Sequence, residues 1–132
     1  MKNTELNLLK KLESGWNDLS TDSLESFLTE DVIYKSQFVQ TPLIGKSEVI
    51  EFLKEKFRTI RKNKKSKLIN IYADIGYLPS FNMKPCIVLS QIISDKLNQV
   101  TVMIEIKRSL ISKIDICIIP DFGEIIFLQT NQ

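Results

Sequence analysis

The chain contains no histidine, so proton chemistry near neutral pH falls to carboxylates, tyrosines, lysines or water. Ser–His and Cys–His nucleophile pairs are excluded with it, as is the commonest metal ligand. The carboxylates of interest are Glu105 and Asp115, set inside apolar strand-like runs as VMIEIK and KIDICI. Turned into a closed interior, either would have its pKa raised by burial and become a general acid or base. Turned outward, each is a solvated charge or a salt-bridge partner for Lys107 or Lys113 across a hairpin. Residues of both parities are apolar nearby, so periodicity leaves the choice open.

A second group lies in DVIYKSQFV, residues 31–39, which is rich in β-branched and aromatic residues and reads as a strand. Alternation places Tyr34, Ser36 and Phe38 on one face and Ile33, Lys35 and Gln37 on the other. Tyr34 could donate a hydrogen bond to a carbonyl or oxyanion, with Ser36 or Gln37 assisting. The plainer alternative is that Tyr34 fills the core with its hydroxyl satisfied by a neighbour. Trp16 and Tyr72 read as core or pocket wall rather than as reactive groups.

Other chemistries are argued down. Cys86 and Cys117 sit in apolar runs without a CxxC partner and read as core residues. Gly45-Lys46-Ser47 matches the end of a phosphate-binding loop, but position 40 is Gln and Pro42 intervenes. No metal-ligand spacing or dinucleotide fingerprint occurs, so neither metal nor cofactor is expected. The basic run from Lys54 to Lys67 lacks the interleaved aromatic residues of a stacking platform, and the net charge is only +2. It reads as a solvated helix end, and no nucleic-acid partner is expected.

These groups must be carried by one domain spanning residues 1–132, whose 43% hydrophobic and 26% charged residues are a globular composition. The N-terminal segment has no continuous apolar core, and no stretch approaches membrane-spanning length. A cytoplasmic protein without a membrane partner is expected. Leu8, Leu9, Leu12 and Trp16 have the spacing of an amphipathic helix over residues 4–16. Asp22 and Glu25 have the spacing of a capping box ahead of a short second helix. Pro42 and Gly45 bracket a turn, and Val49, Ile50, Leu53, Phe57 and Ile60 predict a long helix over residues 46–62. Strands are expected near 67–78, 84–94, 98–108 and 110–119, with turns at LPSFN, DKLNQ and KRSL. Short connections make the late strands antiparallel neighbours, giving an α+β domain with helices on one sheet face. The runs Cys86–Leu89 and Ile114–Ile119 are apolar on both parities and call for a cover on the second face. A homodimer through that outer face is the expected cover, with the C-terminal EIIFL segment folding back as the alternative.

Trp16-Asn-Asp-Leu, Leu28-Thr-Glu-Asp-Val-Ile-Tyr and Gly45-Lys-Ser-Glu-Val-Ile-Glu-Phe-Leu together resemble the nuclear transport factor 2-like superfamily, in its SnoaL-like branch. The resemblance spans roughly residues 4–120 and rests on the order of elements more than on any tripeptide. It implies a cystatin-like α+β fold: a cone-shaped, curved antiparallel sheet wrapped around N-terminal helices, enclosing a pocket and commonly dimeric. In related isomerases a general-base aspartate lies on the first strand, and the matching position here is Ser36. A serine cannot act as that base without a partner to take its proton.

The function expected is therefore a non-catalytic small-molecule-binding domain with an apolar pocket, contacted by Trp16, Tyr34, Ser36, Gln37 and Tyr72. The first alternative is a cofactor-free isomerase, dehydratase or cyclase acting on a small cyclic or carbonyl compound, with Glu105 or Asp115 as base. The second is a protein-interaction module. Fold alone does not choose among them.

Overall fold

Leu8, Leu9, Leu12 and Trp16 are all buried on one side of helix α1 (Lys2–Asp18), as their spacing requires. The computed structural model describes residues 2–36, 41–65, 69–117 and 125–127. Helix α1 ends in a left-handed residue at Leu19 (φ 54°), and Ser20 N donates to the Gly15 carbonyl at 3.0 Å. This is the Schellman closure, with a leucine where glycine is usual. The Asp22/Glu25 spacing does not produce a capping box. A single 3₁₀ turn, Glu25–Phe27, follows without a side-chain cap, closed by Phe27 N donating to the Leu24 carbonyl at 2.8 Å. The next strand begins at Leu28, which leaves no room for a longer helix.

That strand, β1 (Leu28–Ser36), pairs with a two-residue β2 (Leu43–Ile44). Gly45 then turns into helix α2 (Lys46–Lys65) at φ 106°, a conformation that favours glycine. The expected meander follows as β3 (Ile69–Leu78), β4 (Lys84–Ile93), β5 (Lys96–Lys107) and β6 (Leu110–Cys117), each antiparallel to the next. A short β7 (Ile126–Phe127) pairs with β3. The seven-stranded sheet has the order β2-β1-β6-β5-β4-β3-β7, and β1 lies parallel to β6. The sheet is curved and unclosed, and both helices pack on its inner face, giving the α+β architecture expected.

Of the two expected hairpin turns, the one at KRSL forms where the sequence places it, and the one expected at DKLNQ sits earlier, at Ser94–Asp95. Ser94 and Asp95 join β4 to β5, and Arg108 and Ser109 join β5 to β6, all four at positive φ. Positive φ at both central residues marks the type I′ turn, whose twist matches that of paired strands. Neither turn carries glycine, which left the exact position of the first of them open in the sequence.

The main core unites the inner sheet face with the helices: Trp16, Phe57, Leu53, Ile87, Val102, Ile104 and Ile114 are among its buried members. Asn17 fixes α1 to β3. Its side-chain amide donates to the Ala73 carbonyl at 3.0 Å and its side-chain oxygen accepts from Ala73 N at 2.7 Å, satisfying strand backbone on both counts.

A smaller cluster on the outer face contains Leu78, Cys86, Val88 and Ile125, with Met103 and Cys117 packed against it. Cys86, Val88 and Thr101 on this face are thus buried within one chain. The apolar surface that led to the expectation of a second subunit is in part covered by the chain's own Ile125, the alternative considered above. Gly76 makes that contact possible, since a Cβ there would meet Ile125 Cγ2 at 2.7 Å. Gly76→Ala should therefore destabilise the domain by about 1–3 kcal/mol through overpacking, measured as a lower urea midpoint at unchanged m-value. An unchanged midpoint would show that Ile125 is not held there in solution.

Candidate functional site

Tyr34 and Ser36 share the inner face of β1, as alternation requires, and are 2% and 7% exposed. They border a cavity of about 620 Å³ between the open end of the curved sheet and the two helices. Register explains its wall. Ser36 pairs with Ile116 of β6, Leu89 of β4 pairs with Val100 of β5, and Gln91 pairs with Asn98. All of these side chains line the cavity, with Trp16 from α1, Phe52 and Lys56 from α2, and Ile71 from β3. Leu97 and Gln99 border it at the β4–β5 hairpin. A wall mostly of aliphatic and aromatic groups with a few convergent polar atoms is the usual make-up of a small-molecule site, and the volume lies in the usual range.

Trp16 is 1% exposed and meets Phe57 edge-to-face, with ring centroids 4.9 Å apart. The Tyr34 ring packs on Phe52 at 5.1 Å. Burial pushes the Tyr34 phenol well above its ordinary pKa. It therefore stays protonated and serves as a hydrogen-bond donor rather than as a base. Burial moves Lys56 the other way, below the ordinary lysine value. Its ammonium lies 5.9 Å from the centroid of the Phe52 ring.

Three expectations are corrected. Glu105 and Asp115 both face outward, so the catalytic role expected of them loses its premise. Glu105 lies opposite Lys113, its carboxylate 3.4 Å from Nζ and its side chain 68% exposed. Asp115 lies between Met103 of β5 and Lys35 of β1. Glu105 faces out by the regular alternation of β5 between Ile104 and Ile106, and for Asp115 the cause is a β-bulge: Glu105 pairs with Lys113 but Ile106 pairs with Ile111, so Ser112 is an extra residue in β6. The bulge flips parity, so that Ile111, Ile114 and Ile116 face inward where regular alternation would have turned Lys113 and Asp115 in. Tyr72 is the third correction. Its neighbours Ile71 and Ala73 take the inner face, leaving it outside, opposite Ser90 and 41% exposed. Gln37 lies outside the described residues.

Several wall residues escaped the sequence reading. Lys56 belonged to a run that looks solvated throughout, although its i−4 neighbour Phe52 and i+4 neighbour Ile60 mark the edge of the apolar stripe. Gln91 and Asn98 became visible only when the turn settled at Ser94–Asp95 rather than at DKLNQ. Among the described residues no carboxylate lines the cavity, and no group of three or more His, Cys, Asp or Glu is placed to hold a metal. Among those residues, too, no helix is long and apolar enough to cross a membrane.

Comparison of this architecture with solved structures gives many matches. A steroid delta-isomerase from Pseudomonas aeruginosa superposes with a TM-score of 0.64 at 10% identity, covering 92% of this chain and 82% of its own. An NTF2-like protein from Anabaena variabilis superposes at 0.65 with 14% identity, covering 93% and 91%. This chain has the nuclear transport factor 2-like fold. An uncharacterised cystatin-fold protein from Novosphingobium aromaticivorans, at 0.63 and 12% identity with 85% and 96% covered, shares it. No family model and no curated protein sequence matches the chain.

Proposed function

We propose that this domain binds a small, largely apolar molecule in the cavity bordered by Trp16, Tyr34 and Ser36. The observation that carries the reading is a 620 Å³ apolar recess with a buried, protonated Tyr34 phenol in its wall. Tyr34 orients the ligand by donating to an oxygen on it, while Leu89, Val100 and Ile116 exclude water from its body. The isomerase-type alternative needs a base in the cavity, and the position that would carry it is Ser36. Solved structures of the same fold include a steroid delta-isomerase, which is compatible with a recess of this shape taking a compact cyclic or carbonyl compound.

Thermal-shift screening with a panel of apolar cyclic ketones and carboxylic acids, followed by calorimetry on the hits, tests the proposal. At least one class should raise the melting temperature. Leu89→Trp, which fills the recess, should abolish the effect, whereas Tyr72→Phe on the outer face should not. Tyr34→Phe should weaken binding about two- to tenfold, the range for one neutral hydrogen bond. Stabilisation that survives Leu89→Trp would place the ligand elsewhere, and no stabilisation by the whole panel would count heavily against the reading.

A further inference from the structure

Among the described residues that line the cavity, Lys56 is the one cation, and no carboxylate faces it. Nor does Lys56 form an ion pair with any described residue. Its neighbour Glu55, which borders an adjoining recess of about 360 Å³ together with Lys56, is engaged by Arg58 instead. Lys56 is exposed along α2 while bordering the cavity, and a lone cation at the rim of an apolar recess attracts an anionic group that enters it. The remaining polar groups agree in sign. The Tyr34 hydroxyl and the Gln91 and Asn98 amides can all donate, and none of them is an anion that would repel one.

We propose that the ligand of this cavity is an amphipathic monocarboxylate, its head held by Lys56 and its apolar body between Leu89, Val100 and Ile116. This rests on the small-molecule reading above and narrows it. One cation balances one negative charge, which favours a carboxylate over a phosphate dianion. A ligand with a cationic head would meet Lys56 and no counter-charge.

The test uses decanoate, 1-decanol and decyltrimethylammonium below their micellar concentrations, titrated calorimetrically at pH 7 into the full-length protein and into Lys56→Met. Lys56 is on an exposed stretch of α2, and methionine keeps the length and helix propensity of the side chain. Decanoate should bind the natural protein about ten- to a hundredfold more tightly than 1-decanol, as a charge-assisted contact implies. Lys56→Met should erase that preference, bringing decanoate to the affinity that 1-decanol has for the same variant. Equal binding of acid and alcohol, or a preference that persists in Lys56→Met, overturns the carboxylate assignment and leaves the small-molecule reading standing. Tighter binding of decyltrimethylammonium overturns it as well. Binding of none of the three overturns both for ligands of this size.

Discussion

Trp16→Ala should lower the unfolding free energy by about 3–5 kcal/mol, the range for deleting a large buried aromatic residue. Trp16 is 1% exposed, and it does two jobs at once. Its ring meets Phe57 edge-to-face at 4.9 Å, a pairing that adds about 0.5–1.5 kcal/mol beyond area burial. It also forms the α1 part of the cavity wall, where neighbours on the far side are too distant to move in and refill the space. Urea unfolding followed by circular dichroism measures the loss directly. At the lower end of the usual range of domain stability, about 5 kcal/mol, a loss of this size would leave the variant partly unfolded at 37 °C. A loss below about 1 kcal/mol would show that the helix end carrying Trp16 does not pack on the sheet as described.

The second large effect is alkaline lability. Burial raises the pKa of Cys86 from 9.0 to about 11, with nearby Cys117 adding to the rise and Lys84 opposing it. Burial raises that of Tyr34 above its ordinary 10.0 in the same sense. Both groups are neutral in the folded chain, and the unfolded chain releases their protons first. The Cys86 contribution is intact below about pH 9 and is lost as the pH rises through about 11, while that of Tyr34 is intact below its ordinary 10.0 and declines above it. A two-unit difference corresponds to about 2–3 kcal/mol for Cys86 once it is fully expressed. Lys56 works the other way, because its lowered pKa lets stability recover as the pH climbs toward the ordinary lysine range. The clean readout is therefore a comparison of variants. The drop in urea midpoint between pH 8 and pH 11 should be smaller in Cys86→Ala and in Tyr34→Phe than in the natural protein. Equal drops in all three would show that these groups are not shielded from water.

Helix α1, helix α2 and the four-stranded meander were legible because each carries a long, consistent pattern. Apolar residues at i, i+3 and i+4 have only one way to be buried together, and antiparallel strands joined by short turns have few topologies open to them. Tyr34 and Ser36 fall on the inner face that alternation assigns them, since β1 alternates regularly from Val32 to Ser36.

Two of the misplacements come from residues whose effect is exerted through a partner strand, and the third, Tyr72, from its own strand. Ser112 carries no special mark, yet its bulge inverts the faces of β6 and turns Asp115 from the interior to the outside. Ser94 and Asp95 form a two-residue turn without glycine, and a shift of that turn by a few residues brings Asn98 into the cavity wall. Tyr72 was read by type rather than by parity, while Ile71 and Ala73 on either side already claimed the core.

Composition and periodicity were thus enough to set the α+β class, the two faces of β1 and the absence of any histidine, while the recess beside that strand was an expectation of the family resemblance. They act within a segment, where each residue's neighbours are known. Which carboxylates face inward, and that Lys56 stands without a described counter-charge at the recess, depended on register across β5 and β6 and on the packing of α2 over the sheet. Those are relations between segments far apart in the chain. A one-residue change in pairing reverses every side chain beyond it, and nothing local reports that change.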